Sequence, residues 1–293
     1  MKNNIILKGI GGFYYVKTAD NKILECKAKG KFRSLSLSPL AGDIVDVEQE
    51  QSTNVISNIH PRKNQFLRPP FANLDLLILV VSTTEPTPNY LVIDKLCAIA
   101  QHKNVEVAVV ITKTDLLELK QVKEVYEKAG YPVFFTCEES SGDMEKLKKL
   151  MCGKLCAFAG NSGVGKSTLL NKLFCELSLE TNAISQKLGR GKHTTRQVEI
   201  FELQGCMVAD TPGFSSIELD GENFISKTDL QYAFKEFAPY IERCKFHDCS
   251  HTAEVGCGVI KAVESGDIAA SRHDSYKTLY RRQKDIKEWE RKK

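Results

Sequence analysis

Two kinds of hydrophobic patterning divide the chain. Up to residue 66, apolar and polar residues alternate in short runs: Gly12–Lys17, Ile23–Lys27, Asp43–Glu48 and Asn54–Ile59. The turn formers Ala19-Asp20-Asn21-Lys22 separate the first two of these. A period of two puts one face of each run inside, so these are strands, and with no run of helix length they predict a small β-barrel. Pro61–Gln65 reads as a linker. From Leu74 the pattern changes. Leu74–Val81 and Val105–Ile111 are almost continuously apolar, as expected of strands covered on both faces. Helical patterns near Tyr90–Gln101, 116–130 and Met144–Leu150 alternate with further strands at Pro132–Phe135 and Leu155–Ala159. A helix begins near Leu169, and Val198–Leu203 and Cys206–Ala209 add two more strands. That alternation predicts an α/β core with a doubly wound parallel sheet. After Phe214 the sheet pattern stops, leaving a helix at Leu230–Tyr240 and a last one over about 267–290. Ile268, Tyr276, Leu279, Tyr280, Ile286 and Trp289 form the apolar stripe of the last helix. The expected division is 1–66, 67–220 and 221–293, with no internal repeat.

A chain of 293 residues is long enough for such a core with smaller attachments. No segment approaches a membrane-spanning apolar run, and MKNNIILKGIGG has too short an apolar centre for a signal peptide. A cytoplasmic protein without a membrane partner is therefore expected. The net charge of +4 is unevenly placed: residues 1–33 carry eight Lys/Arg against Asp20 and Glu25, and the tail from Arg272 is also basic. Basic ends suit a polyanion, although a single such cluster is more often just a solvated face. The strand count of the first part suits an oligonucleotide-binding (OB) fold, whose exposed aromatics stack on bases. Phe13, Tyr14, Tyr15 and Phe32 fit either that role or the barrel core. Of the ten cysteines, Cys26, Cys97, Cys137, Cys152, Cys156, Cys175 and Cys206 lie in apolar runs and read as small buried hydrophobes.

The chemistry centres on Gly160-Asn161-Ser162-Gly163-Val164-Gly165-Lys166-Ser167-Thr168, which fills every defining position of GxxxxGKS/T. A strand before it and a helix after it supply what this motif needs. Successive backbone N–H groups and a helix N-terminus face an anion. Lys166 then reaches the β- and γ-phosphates, and the Ser167 hydroxyl holds Mg²⁺. Asp210-Thr211-Pro212-Gly213 closes a later strand as DxxG. Asp210 is placed to orient Mg²⁺, and the Gly213 N–H to meet the γ-phosphate. Thr112-Lys113-Thr114-Asp115, at the end of another strand, selects the base. The Asp115 carboxylate accepts two hydrogen bonds from the guanine edge, which adenine does not offer, while the stem of Lys113 covers the ring.

Cys244-x4-Cys249-x-His251-x5-Cys257 places three thiols and one imidazole within 14 residues. A Cys₃His set satisfies tetrahedral Zn²⁺ and leaves no position for water, so one structural zinc is expected. His247 competes with His251 for the nitrogen position, and His251 is preferred.

The order of these motifs is unusual, because the base motif precedes the phosphate loop by about 45 residues. The sequence resembles the circularly permuted GTPases, and over essentially its whole length the ribosome small-subunit-dependent GTPase A family. The resemblance is carried by GNSGVGKST, GRGKHTTR, DTPGF and CKFHDCSHTAEVGC. It implies an OB-fold barrel, a permuted GTPase core and a C-terminal zinc module. It further implies a GTP hydrolase binding GTP/GDP with Mg²⁺, whose partner is the rRNA of the small ribosomal subunit. By resemblance, Thr195 reaches Mg²⁺ and the γ-phosphate, with Thr194 as its rival. Thr136-Cys137 supplies backbone N–H groups to the guanine carbonyl, and His193 assists hydrolysis. Phe214 stands where many GTPases carry a water-positioning glutamine, so slow unassisted turnover is expected. Thr112 replaces the usual asparagine, and its shorter hydroxyl is expected to tie the loop together less well. Two other classes stay open: an RNA-binding module with vestigial turnover, and a P-loop ATPase or small-molecule kinase. A monomer is expected.

Overall fold

The computed structural model describes residues 4–35, 37–83, 86–113, 119–136, 141–174, 197–211 and 213–285. Five strands, β1 (Asn4–Ile10), β2 (Phe13–Lys17), β3 (Ile23–Ala28), β4 (Ile44–Glu50) and β5 (Thr53–Ile59), close a barrel in the order β1-β2-β3-β5-β4. A short hairpin follows, β6 (Gln65–Leu67) and β7 (Pro70–Ala72). The main sheet has six strands in the order β10-β9-β8-β11-β13-β12. These are β8 (Leu76–Ser82), β9 (Glu106–Thr112), β10 (Val133–Phe135), β11 (Leu155–Ala159), β12 (Glu199–Leu203) and β13 (Cys206–Asp210). The helices are α1 (Lys31–Ser34), α2 (Tyr90–His102), α3 (Leu119–Lys128), α4 (Ser141–Met151), α5 (Lys166–Leu173), α6 (Leu230–Ala233), α7 (Ala238–Ile241), α8 (Gly258–Glu264) and α9 (Ala270–Asp285).

The described residues fall into two compact units. One holds the chain up to Leu77, Glu145–Phe158 and Lys166–Phe214; the other holds Ile78–Met144, Ala159–Gly165 and the chain from Ser215.

In the first unit the barrel is packed by Ile6, Val16, Cys26, Phe32, Val45 and Ile56. The alternating pattern did not include β1, whose apolar residues Ile5 and Ile6 are consecutive; a register shift beside Lys8 lets the strand bend to close the barrel. Phe32 is core, whereas Phe13 is exposed and Tyr14 and Tyr15 are half-buried, so the four aromatics divide between the two readings. Residues 61–65 are not a loose linker. Arg62 makes a two-pronged bond to the fully buried Asp43, Nε to Oδ1 at 2.7 Å and Nη2 to Oδ2 at 2.8 Å, and also donates to the Ser38 carbonyl and to Gln65. A planar guanidinium matched to a carboxylate holds geometry that a flexible cation does not. Strand β12 pairs antiparallel with β13, so the sheet is mixed at this edge. The cause is the two-residue Gln204-Gly205 connection, too short for a crossover to a parallel neighbour. Lys8 and Lys17 of the barrel pair with Glu199 and Glu202 of β12, Lys8 Nζ at 2.7 Å from Glu199 Oε1. Part of the N-terminal basic cluster is thus already matched to carboxylates.

β8, whose first two residues belong to the first unit, is buried at all seven positions, and β9 of the second unit at six of seven, which explains their unbroken apolar sequences. Asn89 caps α2 by accepting from the Val92 N–H at 3.2 Å. The single helix expected over 230–240 is broken into α6, a 3₁₀ turn at Lys235–Phe237, and α7. Pro239 lacks an N–H and therefore restarts a helix instead of continuing one, while Phe234 leaves helical geometry and is fully buried. The last helix starts at Ala270 and is described to Asp285, with Tyr276 and Leu279 buried and Tyr280 half-buried; Ile268 is buried just before it, and Ile286 and Trp289 lie outside the described residues. Arg272 of α9 is fully buried. Its Nη1 meets Asp94 Oδ1 of α2 at 2.8 Å, its Nε meets Glu236 Oε1 at 2.7 Å, and its guanidinium lies over the Phe234 ring. Burial opposes its charge, but the two carboxylates hold it protonated. Cys26, Cys97, Cys156 and Cys206 are buried as expected; Cys152 is exposed in the turn after α4, and Cys137 and Cys175 lie outside the described residues.

Candidate nucleotide site and metal centre

The phosphate loop follows β11 and runs into α5, so the strand–turn–helix context that its chemistry needs is present. Asn161, Ser162 and Gly163 are exposed, Val164 is buried beneath them, and Lys166 and Ser167 open the helix half-buried, with Thr168 exposed. Two glycines are required by the backbone. At Gly160 a Cβ would collide with the Val80 carbonyl; at Gly165 φ is +91°, in the left-handed region. Burial holds the Lys166 ammonium below the usual lysine range. A phosphate is the natural partner for a cation so placed.

β11 and β13 pair in parallel, Ala157 opposite Ala209. Asp210 therefore stands at the carboxyl end of β13, level with Phe158 near the carboxyl end of β11. Gly213 is exposed with φ +77°, and the Phe214 N–H closes the turn onto the Thr211 carbonyl at 3.2 Å. Phe214 itself is buried. Its ring packs at 5.2 Å from Phe66 and 5.6 Å from Phe71, which are stacked on each other in the β6–β7 hairpin.

Thr112 ends β9 and is buried; its hydroxyl donates to the Val164 carbonyl at 2.6 Å. The shorter side chain does reach the phosphate loop. The next residue, Lys113, is exposed in the left-handed region (φ +57°), and its carbonyl accepts from the Thr83 hydroxyl at 2.7 Å. Thr136 is half-buried, and its N–H donates to the Ile111 carbonyl as a continuation of the strand pairing, so it is not the guanine-carbonyl donor that the resemblance implied. Thr114, Asp115, Cys137, His193, Thr194 and Thr195 lie outside the described residues.

The structure adds a residue that the motifs did not single out. Ser215 Oγ accepts from the Gly160 N–H at 2.8 Å and donates to the Gly160 carbonyl at 2.9 Å. Nothing in the sequence marks this serine, because its partner is backbone 55 positions away.

Cys244, Cys249, His251 and Cys257 bring their four ligand atoms within 4.8 Å of one another. His247 is exposed and not part of this group. His251 Nδ1 lies 3.5 Å from Cys244 Sγ and 3.4 Å from Cys257 Sγ, while Nε2 faces Gln231 Oε1 at 2.8 Å. With its Nε2–H given to Gln231, the ring turns a lone pair toward the sulfurs. Backbone N–H groups of Gly258 and Ile260 point at Cys244 Sγ and Cys257 Sγ, which suits thiolates. Burial pushes the Cys249 thiol up to about 12 and lowers His251, so the site favours neutral groups unless a cation compensates the thiolates. The donor set and its surroundings fit a tetrahedral ion such as Zn²⁺. Gly258 leaves no space for a side chain against the Tyr240 carbonyl, which lets so short a segment fold around the cluster.

Comparison with known proteins matches residues 59–220 to the family described as RsgA GTPase and residues 4–56 to the RsgA N-terminal domain. The chain is 40% identical over 283 residues to the small ribosomal subunit biogenesis GTPase RsgA of Alkaliphilus metalliredigens, covering 94% of this chain and 96% of that one. It is 42% identical over 300 residues to the protein of the same name from Ruminiclostridium cellulolyticum, covering 100% and 97%. Among solved structures, YjeQ from Thermotoga maritima superposes with a TM-score of 0.82 at 33% identity, covering 98% of this chain and 99% of that one. YloQ, described as a circularly permuted GTPase, follows at TM-score 0.79 and 30% identity, covering 98% and 96%.

Proposed function

The chain belongs to the RsgA GTPase family, and on that footing we propose that it is a GTP-hydrolysing switch that binds the small ribosomal subunit late in its maturation and turns over faster on it. The observation that carries the reading is the bond from Thr112 to Val164, which joins the end of the base-motif strand to the phosphate loop in permuted order. GTP then lies with its phosphates on the N–H groups of 160–165 and on Lys166, and its guanine on Asp115, with Lys113 over the ring and the Cys137 N–H at the carbonyl. Ser167, Asp210 and one hydroxyl of the Thr194–Thr195 pair, Thr195 by preference, hold Mg²⁺, which neutralises charge developing on the transferred phosphoryl group. Gly213 meets the γ-phosphate. His193 assists the attacking water, because Phe214 is committed to its aromatic neighbours and has no polar group to offer.

The division into 1–66, 67–220 and 221–293 gives each part a task. The barrel presents Phe13, with Lys27 5.3 Å over its ring, to rRNA. The last part carries one structural zinc on Cys244, Cys249, His251 and Cys257. No helix among the described residues is long and apolar enough to cross a membrane. A cytoplasmic monomer is the form in which the protein meets the subunit.

The deciding measurement is GTP turnover by the whole protein with purified small subunits, large subunits, or neither. Stimulation by small subunits alone is expected. Equal rates in all three would leave an RNA-binding module with vestigial turnover. Asp115→Asn should shift preference from GTP toward xanthosine triphosphate; unchanged nucleotide choice would favour an ATPase or kinase instead.

A further inference from the structure

We propose that Ser215 is a positioning residue for the γ-phosphate, a latch that fastens the chain beyond DTPGF to the first residue of the phosphate loop. The proposal rests on the GTPase reading of this site and concerns a residue that none of the nucleotide motifs contains.

One hydroxyl makes both bonds: it accepts from the Gly160 N–H at 2.8 Å and donates to the Gly160 carbonyl at 2.9 Å. This is the pair of bonds an adjacent strand residue would exchange with Gly160, supplied here by a side chain. Gly160 has no side chain and no space for one beneath the Val80 carbonyl, so a tether can act only on its backbone groups. Four residues further on, the Thr112 hydroxyl holds the Val164 carbonyl at 2.6 Å. The loop is thereby pinned near both of its ends by hydroxyl groups, one before it in the chain and one after it.

The consequence for nucleotide choice follows from chain length. Gly213 is two residues before Ser215, so the chain keeps its N–H within about 7 Å of the Ser215 backbone, at roughly 3.5 Å per residue, and the latch ties that backbone to Gly160. Holding that donor close reduces the ordering cost of meeting a γ-phosphate, a cost that GDP binding does not incur. Ser215 therefore adds to affinity for the triphosphate and not for the diphosphate. It touches no reacting atom. An alanine keeps the backbone and, since Ser215 is half-exposed, leaves the Gly160 groups to water.

The test is equilibrium binding of fluorescent GDP and of a non-hydrolysable GTP analogue to the whole protein as wild type, Ser215→Ala and Ser215→Thr. Ser215→Ala should weaken the triphosphate analogue by about tenfold, as losing hydrogen bonds of this kind implies, and leave GDP within about twofold. Ser215→Thr should restore the difference, since it retains the hydroxyl. An equal loss for both nucleotides would mean a merely structural serine, and no loss for either would mean an idle bond; each overturns the proposal. Wild-type protein that bound no guanine nucleotide would instead overturn the GTPase reading, so the two failures are distinct. Thermal unfolding without nucleotide, expected to be nearly unchanged in Ser215→Ala, checks that the variant is folded.

Discussion

The Thr112 hydroxyl donates a 2.6 Å hydrogen bond to the carbonyl of Val164, and through it the end of β9 is tied to the phosphate loop. Both residues are buried, so the bond is shielded from competing water. Thr112→Val preserves shape and removes the donor. The Val164 carbonyl would then be left without that bond, at a cost of about 1–3 kcal/mol. Guanine-nucleotide affinity is expected to fall about tenfold or more, while Thr112→Asn retains a donor and most of the affinity. Titration with a fluorescent GDP separates these outcomes, and wild-type affinity in Thr112→Val would show that the bond does not support the nucleotide.

Phe214 occupies a glutamine's place without a glutamine's surroundings. Its ring is enclosed with Phe66 and Phe71. Phe214→Gln should not accelerate hydrolysis, because the new amide enters an apolar pocket. It should instead destabilise the protein by about 3 kcal/mol or more through lost packing and a buried polar group. Single-turnover kinetics and chemical denaturation of the same preparation check both halves of this expectation.

Arg272 is the cation of a buried cluster. Arg272→Met would strand Asp94 and Glu236, and a loss of about 3–5 kcal/mol is expected from breaking such a pair. Adding Asp94→Leu and Glu236→Leu should recover much of that loss, because the uncompensated charges are then gone. Urea midpoints of the single and triple variants provide the comparison.

Lys166 provides a pH signature. Burial holds its ammonium below the ordinary lysine range, and a bound phosphate would raise it again. Affinity is then complete below the lowered value and declines as pH rises through it toward the raised one, with binding taking up a proton in that interval. Calorimetry at alkaline pH in two buffers of different ionisation enthalpy should detect the uptake with GTP and not with guanosine.

The metal cluster is tested by removal. Cys249→Ser, or prolonged chelation, should release one zinc per chain, counted by metal analysis. Segment 244–257 should then become protease-sensitive, since the ion would be what joins its four ligand side chains. A full zinc content in Cys249→Ser would remove that cysteine from the ligand set.

Much of this architecture was readable along the chain because the signals are local. The apolar runs of β8 and β9, the glycine spacing of 160–165 and the Cys/His spacing of 244–257 each sit within a few residues, and each matches the described structure. The break of the 230–240 helix was readable at Pro239 and obscured by the apolar periodicity around it. Strand β1 was hidden because Ile5 and Ile6 are adjacent, which no alternation template accepts. The edge strand β12 carries a period-two pattern equally compatible with either direction; only the shortness of its connection to β13 decides for antiparallel.

Local residue order thus determined most of the strands and helices, which loop has the phosphate-binding pattern and which four residues form a metal-ligand set. Those properties depend on spacing, and spacing is written in the chain. Tertiary structure decided which distant groups meet: Thr112 with Val164, Ser215 with Gly160, Phe214 with Phe66 and Phe71, Arg272 with Asp94 and Glu236. A serine hydroxyl or an arginine has the same chemistry wherever it stands, and only the folded chain brings its partner within bonding distance.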